Sequence, residues 1–206
     1  MKFQESALAH QLLDHLTGIE IGGAAHNPFN LPNCKNVDFT DDPETVFKQA
    51  EFKLCGEKMP VDYVAEGDHL PFPDESFDYV VSSHVLEHAF NPIKMVQEWL
   101  RVIKYGGYVF MIVPRKDAIE TETRPCTTLK ELLDRHEGRL HPDDVVMEGG
   151  HQVSAVTGLP LCERGHWSVW YLEDFLPVCE HFGWRVVHSA ERDDKVHNGF
   201  AVVIQK

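Results

Sequence analysis

Apolar residues recur along the chain at two alternating spacings. Leu8, Leu12, Leu13 and Leu16 keep helical spacing, so residues 5–16 read as a short helix. Thr17–Gly23 (TGIEIGG) predicts a short strand closed by a glycine pair. The following AAHNPFNLPN, with two prolines and three asparagines, predicts a loop. Lys35–Phe39 reads as a second strand. Asp42-Pro43-Glu44 then opens a helix that sets Val46, Phe47, Ala50 and Leu54 on one face and ends at Gly56. Val61–Ala65 is a mostly apolar strand followed by a Gly/Asp/Pro loop. Phe77–Ser82 is another, and it runs straight into the polar segment Ser83–His88. Asn91-Pro92 supplies a cap and a first-turn proline for a helix carrying Ile93, Val96, Leu100 and Ile103. Gly106 is placed for its left-handed cap, and Tyr108–Val113 is again a strand. Strand, helix, strand with buried-looking strands predicts a parallel α/β sheet. Such sheets bind ligands at the carboxyl ends of their strands.

After Val113 the pattern breaks. Residues 114–166 carry His136, His141, His151 and His166 with several prolines and glycines. They predict one helix, starting at Thr128 with a capping-box spacing to Glu131. This segment reads as an insertion over the site, a lid. A helix over Leu172–Phe182 ends at Gly183. WRVVHSA and GFAVVIQK, joined by the charged turn Glu191–Asn198, then form an antiparallel hairpin. The aromatics Trp167, Trp170 and Tyr171 suit either a substrate pocket or the seam of the last helix. The length fits a single domain over 1–206, with 114–166 as the lid or substrate insertion.

Composition narrows the partners. Asp and Glu number 33 against 19 Lys and Arg, and no basic run appears. Nucleic acid is disfavoured, because affinity for a phosphate backbone needs clustered Lys and Arg. The five cysteines, Cys34, Cys55, Cys126, Cys162 and Cys179, form no C-x-x-C pair. With no signal-peptide pattern and no membrane-length apolar run, the expectation is a cytoplasmic protein with reduced thiols and no membrane partner. The oligomeric state is not legible.

LPFPDESFDYVVSSHVLEH followed by NPIKMVQEWLRVIKYGGYVFMIVPR resembles the middle of the class I S-adenosylmethionine-dependent methyltransferases of the type 11 group. In that group LPF-pD-x-sFD-x-V precedes or forms the fourth strand, L-E-H follows it, and a Gly-Gly turn precedes the fifth. The resemblance covers residues 17–114 closely and the end of the chain loosely. It implies a Rossmann-like α/β sheet of order 3-2-1-4-5-7-6 with the last strand antiparallel. It also implies S-adenosyl-L-methionine as cofactor and methyl transfer to oxygen or nitrogen of a small molecule or glycan. Glu20, Gly22 and Gly23 then occupy the acidic residue and glycine turn of the first cofactor motif. Ala24 stands at the usual last glycine, and the prolines beyond it leave no room for the usual helix, so the cofactor carboxylate has no helix N-terminus to lean on. Asp38 would take the two ribose hydroxyls. Glu66, Gly67 and Asp68 would meet the adenine, with Leu70 packed on its face. Main-chain carbonyls around Ser82 and Ser83 would take the methionine ammonium. His84 and His88 would be nearest the methyl group, as general-base candidates. By themselves these positions read equally as strand-end turns: E-G-D is ordinary turn chemistry, and a histidine packs a helix start as readily as it takes a proton.

His84–His88 also spells H-x-x-E-H, a zinc-hydrolase pattern in which two histidines on one helical face bind metal beside Glu87. His151 or His166 would be the third ligand. The pentapeptide begins at a strand end, so no resident metal is expected. A non-catalytic scaffold is the other reading, favoured by Ala24, the missing helix and the irregular 114–166 segment. A nicotinamide dehydrogenase is disfavoured by the absence of G-x-G-x-x-G after the first strand and of any Tyr-x-x-x-Lys. No N/D-P-P-Y/F segment points to nucleobase or glutamine amino groups. Pro125-Cys126 lies away from the place that cytosine carbon methylation requires.

Overall fold

A computed structural model describes residues 1–118, 122–144 and 165–206. Five parallel strands, β1 (Gly18–Ile21), β2 (Cys34–Asp38), β3 (Tyr63–Val64), β4 (Phe77–Ser83) and β5 (Ile103–Pro114), are joined by β6 (Arg185–Ala190) and β7 (Gly199–Gln205). β7 runs antiparallel to both β5 and β6. The sheet order is β3-β2-β1-β4-β5-β7-β6, the order the resemblance implies.

The strands sort their side chains with period two. Ile19, Ile21, Val80, Val109, Met111 and Val113 face one layer, formed by α3 (Pro92–Val102), α4 (Leu129–His136) and α5 (Leu172–His181). Tyr79, Val81, Phe110 and Ile112 face the other. That second face is covered by α1 (Ala7–Leu13) and by the loop after β1, which stands where a helix would usually pack. Phe29 of this loop is fully buried and meets Phe110 edge-on at 5.8 Å. Burying one such ring is worth about 1.5–3 kcal/mol, so the loop does a helix's covering work with Phe29 and Leu31.

The LPFPD loop is held from α3. Arg101 donates to Leu70 O at 3.2 Å, Phe72 O at 2.8 Å and the Asp74 carboxylate at 2.7 Å. Glu98 accepts from Leu70 N at 2.7 Å. The fully buried Trp99 donates its indole N–H to Gly67 O at 2.9 Å, which ties the core helix to the loop after β3.

Several expected elements differ in detail. β3 is two exposed residues that, among the described residues, pair with β2 alone, so it is an edge strand in place of the buried strand expected over Val61–Ala65. α3 passes directly into β5 at Ile103, which is a buried strand residue and not part of a helical face. Gly106, at φ +81°, therefore caps no helix; it lies within β5 and donates to Lys206 O at 2.9 Å. α2 (Val46–Cys55) starts at the Thr45 cap, and its buried side chains are Lys48 and Glu51, while Phe47 is 40% exposed. Its inner face meets a cavity instead of the apolar core, which is why polar side chains turn inward. Asp193 and Lys195 of the expected charged turn are each 1% exposed.

Within 114–166, α4 starts at the expected Thr128 cap and packs on α3 and α5, with Leu132 in the main core. Trp170 is fully buried in the same core. His151, Cys162, Glu163 and Arg164 lie outside the described residues. Cys34, Cys55, Cys126 and Cys179 are free thiols. Among the described residues, no helix is long and apolar enough to cross a membrane.

Candidate functional site

The carboxyl ends of β1, β2, β3 and β4 open onto one cavity of about 440 Å³, closed by α2, by the loop before β7 and by His166. That volume lies within the ordinary range for small-molecule sites. Its floor is the turn after β1. Gly22 sits at φ +67°, and a Cβ there would lie 2.7 Å from Val85 Cγ2. Gly23 N donates to Asn36 Oδ1 at 3.0 Å. Only glycine supplies both the left-handed backbone and the missing side chain at position 22.

Asp38 ends β2 and reaches the cavity, its side chain 12% exposed. One carboxylate oxygen accepts from Phe39 N at 2.8 Å, and the other lies 3.6 Å from Lys48 Nζ. Burial raises its pKa, against the pull of the Lys48 charge and the Phe39 amide. Lys48 also pairs with Glu51 at 3.3 Å and donates to Met59 O at 3.2 Å. Glu51 in turn accepts from Ala25 N, and from Met59 N at 2.5 Å, so it clamps the loop after β1 to the segment before β3. Neither Lys48 nor Glu51 was singled out from the sequence; i, i+3 polar spacing inside an otherwise mixed helix was the available signal.

Glu20 is buried at the cavity wall, and burial pushes its carboxyl up against the opposing charge of Lys195 and the Phe29 amide. Burial likewise lowers Lys195, whose ammonium donates to both Asn27 oxygens and lies 4.7 Å from the centre of the Phe29 ring. Sequence reasoning missed Lys195 because a charged segment between strands looks like solvated turn. Val196 and Asn198 of the same loop line the cavity.

Of the sequence-derived positions, Glu20, Gly22, Gly23, Asp38, Glu66, Gly67, Ser83, His84 and His88 all line this one cavity. Ser83 Oγ accepts from Asn27 at 3.1 Å. Asp68, Leu70 and Ser82 are not among the lining residues. Asp68 pairs with Lys94 at 2.9 Å, Leu70 is buried in the main core, and Ser82 Oγ is buried without a hydrogen-bond partner among the described residues.

The polar stretch after β4 folds as one 3₁₀ turn, Leu86–His88, preceded by His84 in left-handed backbone at φ +59°. H-x-x-E-H is thus not on an α-helix, and its two histidines do not share a helical face. Burial lowers His84 to about 4 and raises Glu87 to about 8. Among the described residues the cavity is lined by the carboxyl groups of Asp38, Glu51 and Glu66, and by Glu20 and Glu87, which burial pushes up, against the one lysine ammonium of Lys48. Such a lining suits a cationic ligand such as a sulfonium. It is a poor host for a pyrophosphate. The glycine cradle at Gly22, the half-buried acid ending β2 and this charge balance all fit S-adenosylmethionine.

Comparison with known proteins agrees. Residues 18–111 match the family model for the methyltransferase domain. An uncharacterized protein of Methanocaldococcus jannaschii is 34% identical over 104 residues, covering 49% of this chain and 46% of that protein. The sarcosine/dimethylglycine N-methyltransferase of Aphanothece halophytica is 24% identical over 195 residues, covering 92% of this chain and 57% of that enzyme. The chain thus spans about half the length of these curated relatives. Among solved structures, an S-adenosylmethionine-dependent methyltransferase of Methanosarcina mazei superposes with a TM-score of 0.56 at 15% identity, covering 100% of this chain and 99% of that one. The family match takes in positions 18–111 of the 206, and the sheet that carries them has the class I methyltransferase fold.

Proposed function

We propose that the protein transfers the methyl group of S-adenosylmethionine to oxygen or nitrogen of a small molecule or glycan. One observation carries this reading: a single acid-lined cavity unites the glycine cradle, Asp38 and the histidines after β4. Bound S-adenosylmethionine supplies an electrophilic methyl group, so the chain's own work is alignment and proton handling. Asp38 holds the ribose hydroxyls through its carboxylate. Glu66 and the Gly67 backbone meet the adenine, with Gly67 fixed by Trp99. Gly22 and Gly23 let the main chain approach the methionine end, and the acidic lining holds its positive charge. His84, neutral at pH 7, and His88 are the groups that receive the acceptor's proton.

Label from methyl-labelled S-adenosylmethionine is expected to pass to a member of a panel of hydroxyl- and amine-bearing small molecules and sugars. His84→Ala or His88→Ala should lower that rate by about 10²–10⁴-fold, the usual share of general acid–base catalysis, and leave S-adenosylhomocysteine affinity within a few-fold. Unchanged rates in both variants would show that alignment alone drives the transfer.

A further inference from the structure

Glu87 is a buried carboxyl of the cavity wall to which no direct cofactor contact is assigned. It is 1% exposed, and neither carboxylate oxygen has a hydrogen-bond partner among the described residues. Buried carboxylates are ordinarily satisfied by several donors, because leaving one bare is costly. What faces it are imidazoles. One oxygen lies 3.7 Å from His88 Nε2 and 3.9 Å from His84 Nδ1, and the His88 and His166 rings meet edge-on with centroids 4.8 Å apart. One donor atom from each of Glu87, His88 and His166 falls within 4.8 Å of the other two.

We infer that Glu87, His88 and His166 form a binding site for a divalent transition-metal ion, zinc first. Two imidazoles and one carboxylate are a three-donor set of catalytic zinc centres, leaving a fourth position for water or substrate. The absence of a thiolate and the presence of two imidazoles select borderline ions over magnesium or calcium. A tetrahedral ion about 2.0–2.1 Å from each donor spaces the donors by about 3.4 Å, so the set has to close by at most about 1.4 Å.

The backbone is built to keep these donors together. Trp167 N and Ser168 N both donate to Glu87 O, at 2.8 and 3.3 Å. Arg124 donates to His166 O at 2.8 Å, and its guanidinium is itself held by both Glu122 oxygens, at 2.8 and 2.6 Å. Arg135 donates to Trp167 O at 3.0 Å. These ties bring His166 against the turn from a distant part of the chain. The H-x-x-E-H pattern points to His84 as the partner of His88. The fold brings His166 to His88 as well, and an ion held there would depart from the expectation of no resident metal. With an ion bound, His88 is taken up as a ligand, and of the two proton acceptors His84 is the one left free for that role. Because all three donors line the cavity, the open position serves an acceptor that offers a hydroxyl, whose acidity a bound cation raises. That role rests on the methyl-transfer reading; the ion site does not.

The full chain, dialysed against chelator, is titrated calorimetrically with Zn²⁺, and Co²⁺ is followed by its visible spectrum. The expected result is one ion per chain, with at least about a hundredfold weaker binding in Glu87→Gln and in His166→Ala and less than about a threefold change in His84→Ala. X-ray absorption of the cobalt-loaded wild-type chain should count two imidazole ligands, whether or not the variants fold. No binding, binding indifferent to Glu87 and His166, or a spectrum without imidazole overturns the site. S-adenosylhomocysteine titrated into the same samples separates the two claims. Metal binding without it upholds the site and removes its part in methyl transfer, whereas its binding with no metal affinity removes the site alone.

Discussion

Asp193→Ala is expected to destabilise the fold by about 3–5 kcal/mol at pH 7, as read from urea denaturation. The buried Asp193 carboxylate accepts from Lys195 N at 2.9 Å, Val196 N at 2.5 Å, His197 N at 3.0 Å and Gly199 N at 2.8 Å. Removing it strands four backbone donors in one loop, each charge-assisted bond being worth about 1.5–3 kcal/mol before the loop relaxes. Burial alone would raise the Asp193 pKa, but the four amides outweigh it and hold the group below its ordinary value. Because the folded value is the lower one, the stabilisation is complete above the unfolded pKa of about 3.9 and is lost as pH falls through the folded value. The gap between wild type and variant should therefore be full at pH 7 and narrow below about pH 4. The same loop carries Lys195 against Asn27 and puts Val196 and Asn198 on the cavity, so ligand affinity should fall with stability. A loss under about 1 kcal/mol would mean that the loop is held by its neighbours and not by this carboxylate.

Asp38→Ala should weaken S-adenosylhomocysteine binding by about ten- to a hundredfold, since charge-assisted hydrogen bonds to two ribose hydroxyls are worth about 1.5–3 kcal/mol. The fold should tolerate the change. Lys48 loses a partner at 3.6 Å but keeps Glu51 at 3.3 Å and Met59 O at 3.2 Å. Asp41→Ala, exposed beyond the end of β2, is the matched control. Calorimetric titration of both variants decides the matter: equal affinities would mean that Asp38 does not meet the ribose.

The parts of this molecule that follow from local spacing were legible in the sequence. The β4–α3–β5 unit, the closing hairpin, the Thr128 cap and the loop in place of a helix after β1 are all local in origin. The misread parts depend on distant partners. On α2 the apolar residues Phe47, Ala50 and Leu54 line the cavity as one face, but the buried side chains beside them, Lys48 and Glu51, are satisfied by β2 and by the segment before β3. Lys195 is buried because Asn27, far away in sequence, supplies two oxygens. His166 meets His88 only through hydrogen bonds that no periodicity encodes. One local signal was available: Asp193 precedes Asn198-Gly199, and an aspartate ahead of a glycine turn is placed to collect successive amides.

S-adenosylhomocysteine titrated into the wild-type chain, by calorimetry and thermal melting together, tests the central claim most directly. A ligand bound by the native state alone stabilises it by mass action. The expected result is saturable heat at one ligand per chain and a rise in melting temperature, with neither effect from NAD. No heat and no shift at about millimolar ligand, a concentration at which even weak specific binding registers, would contradict methyl transfer and leave a fold that keeps the shape of a methyltransferase without its cofactor.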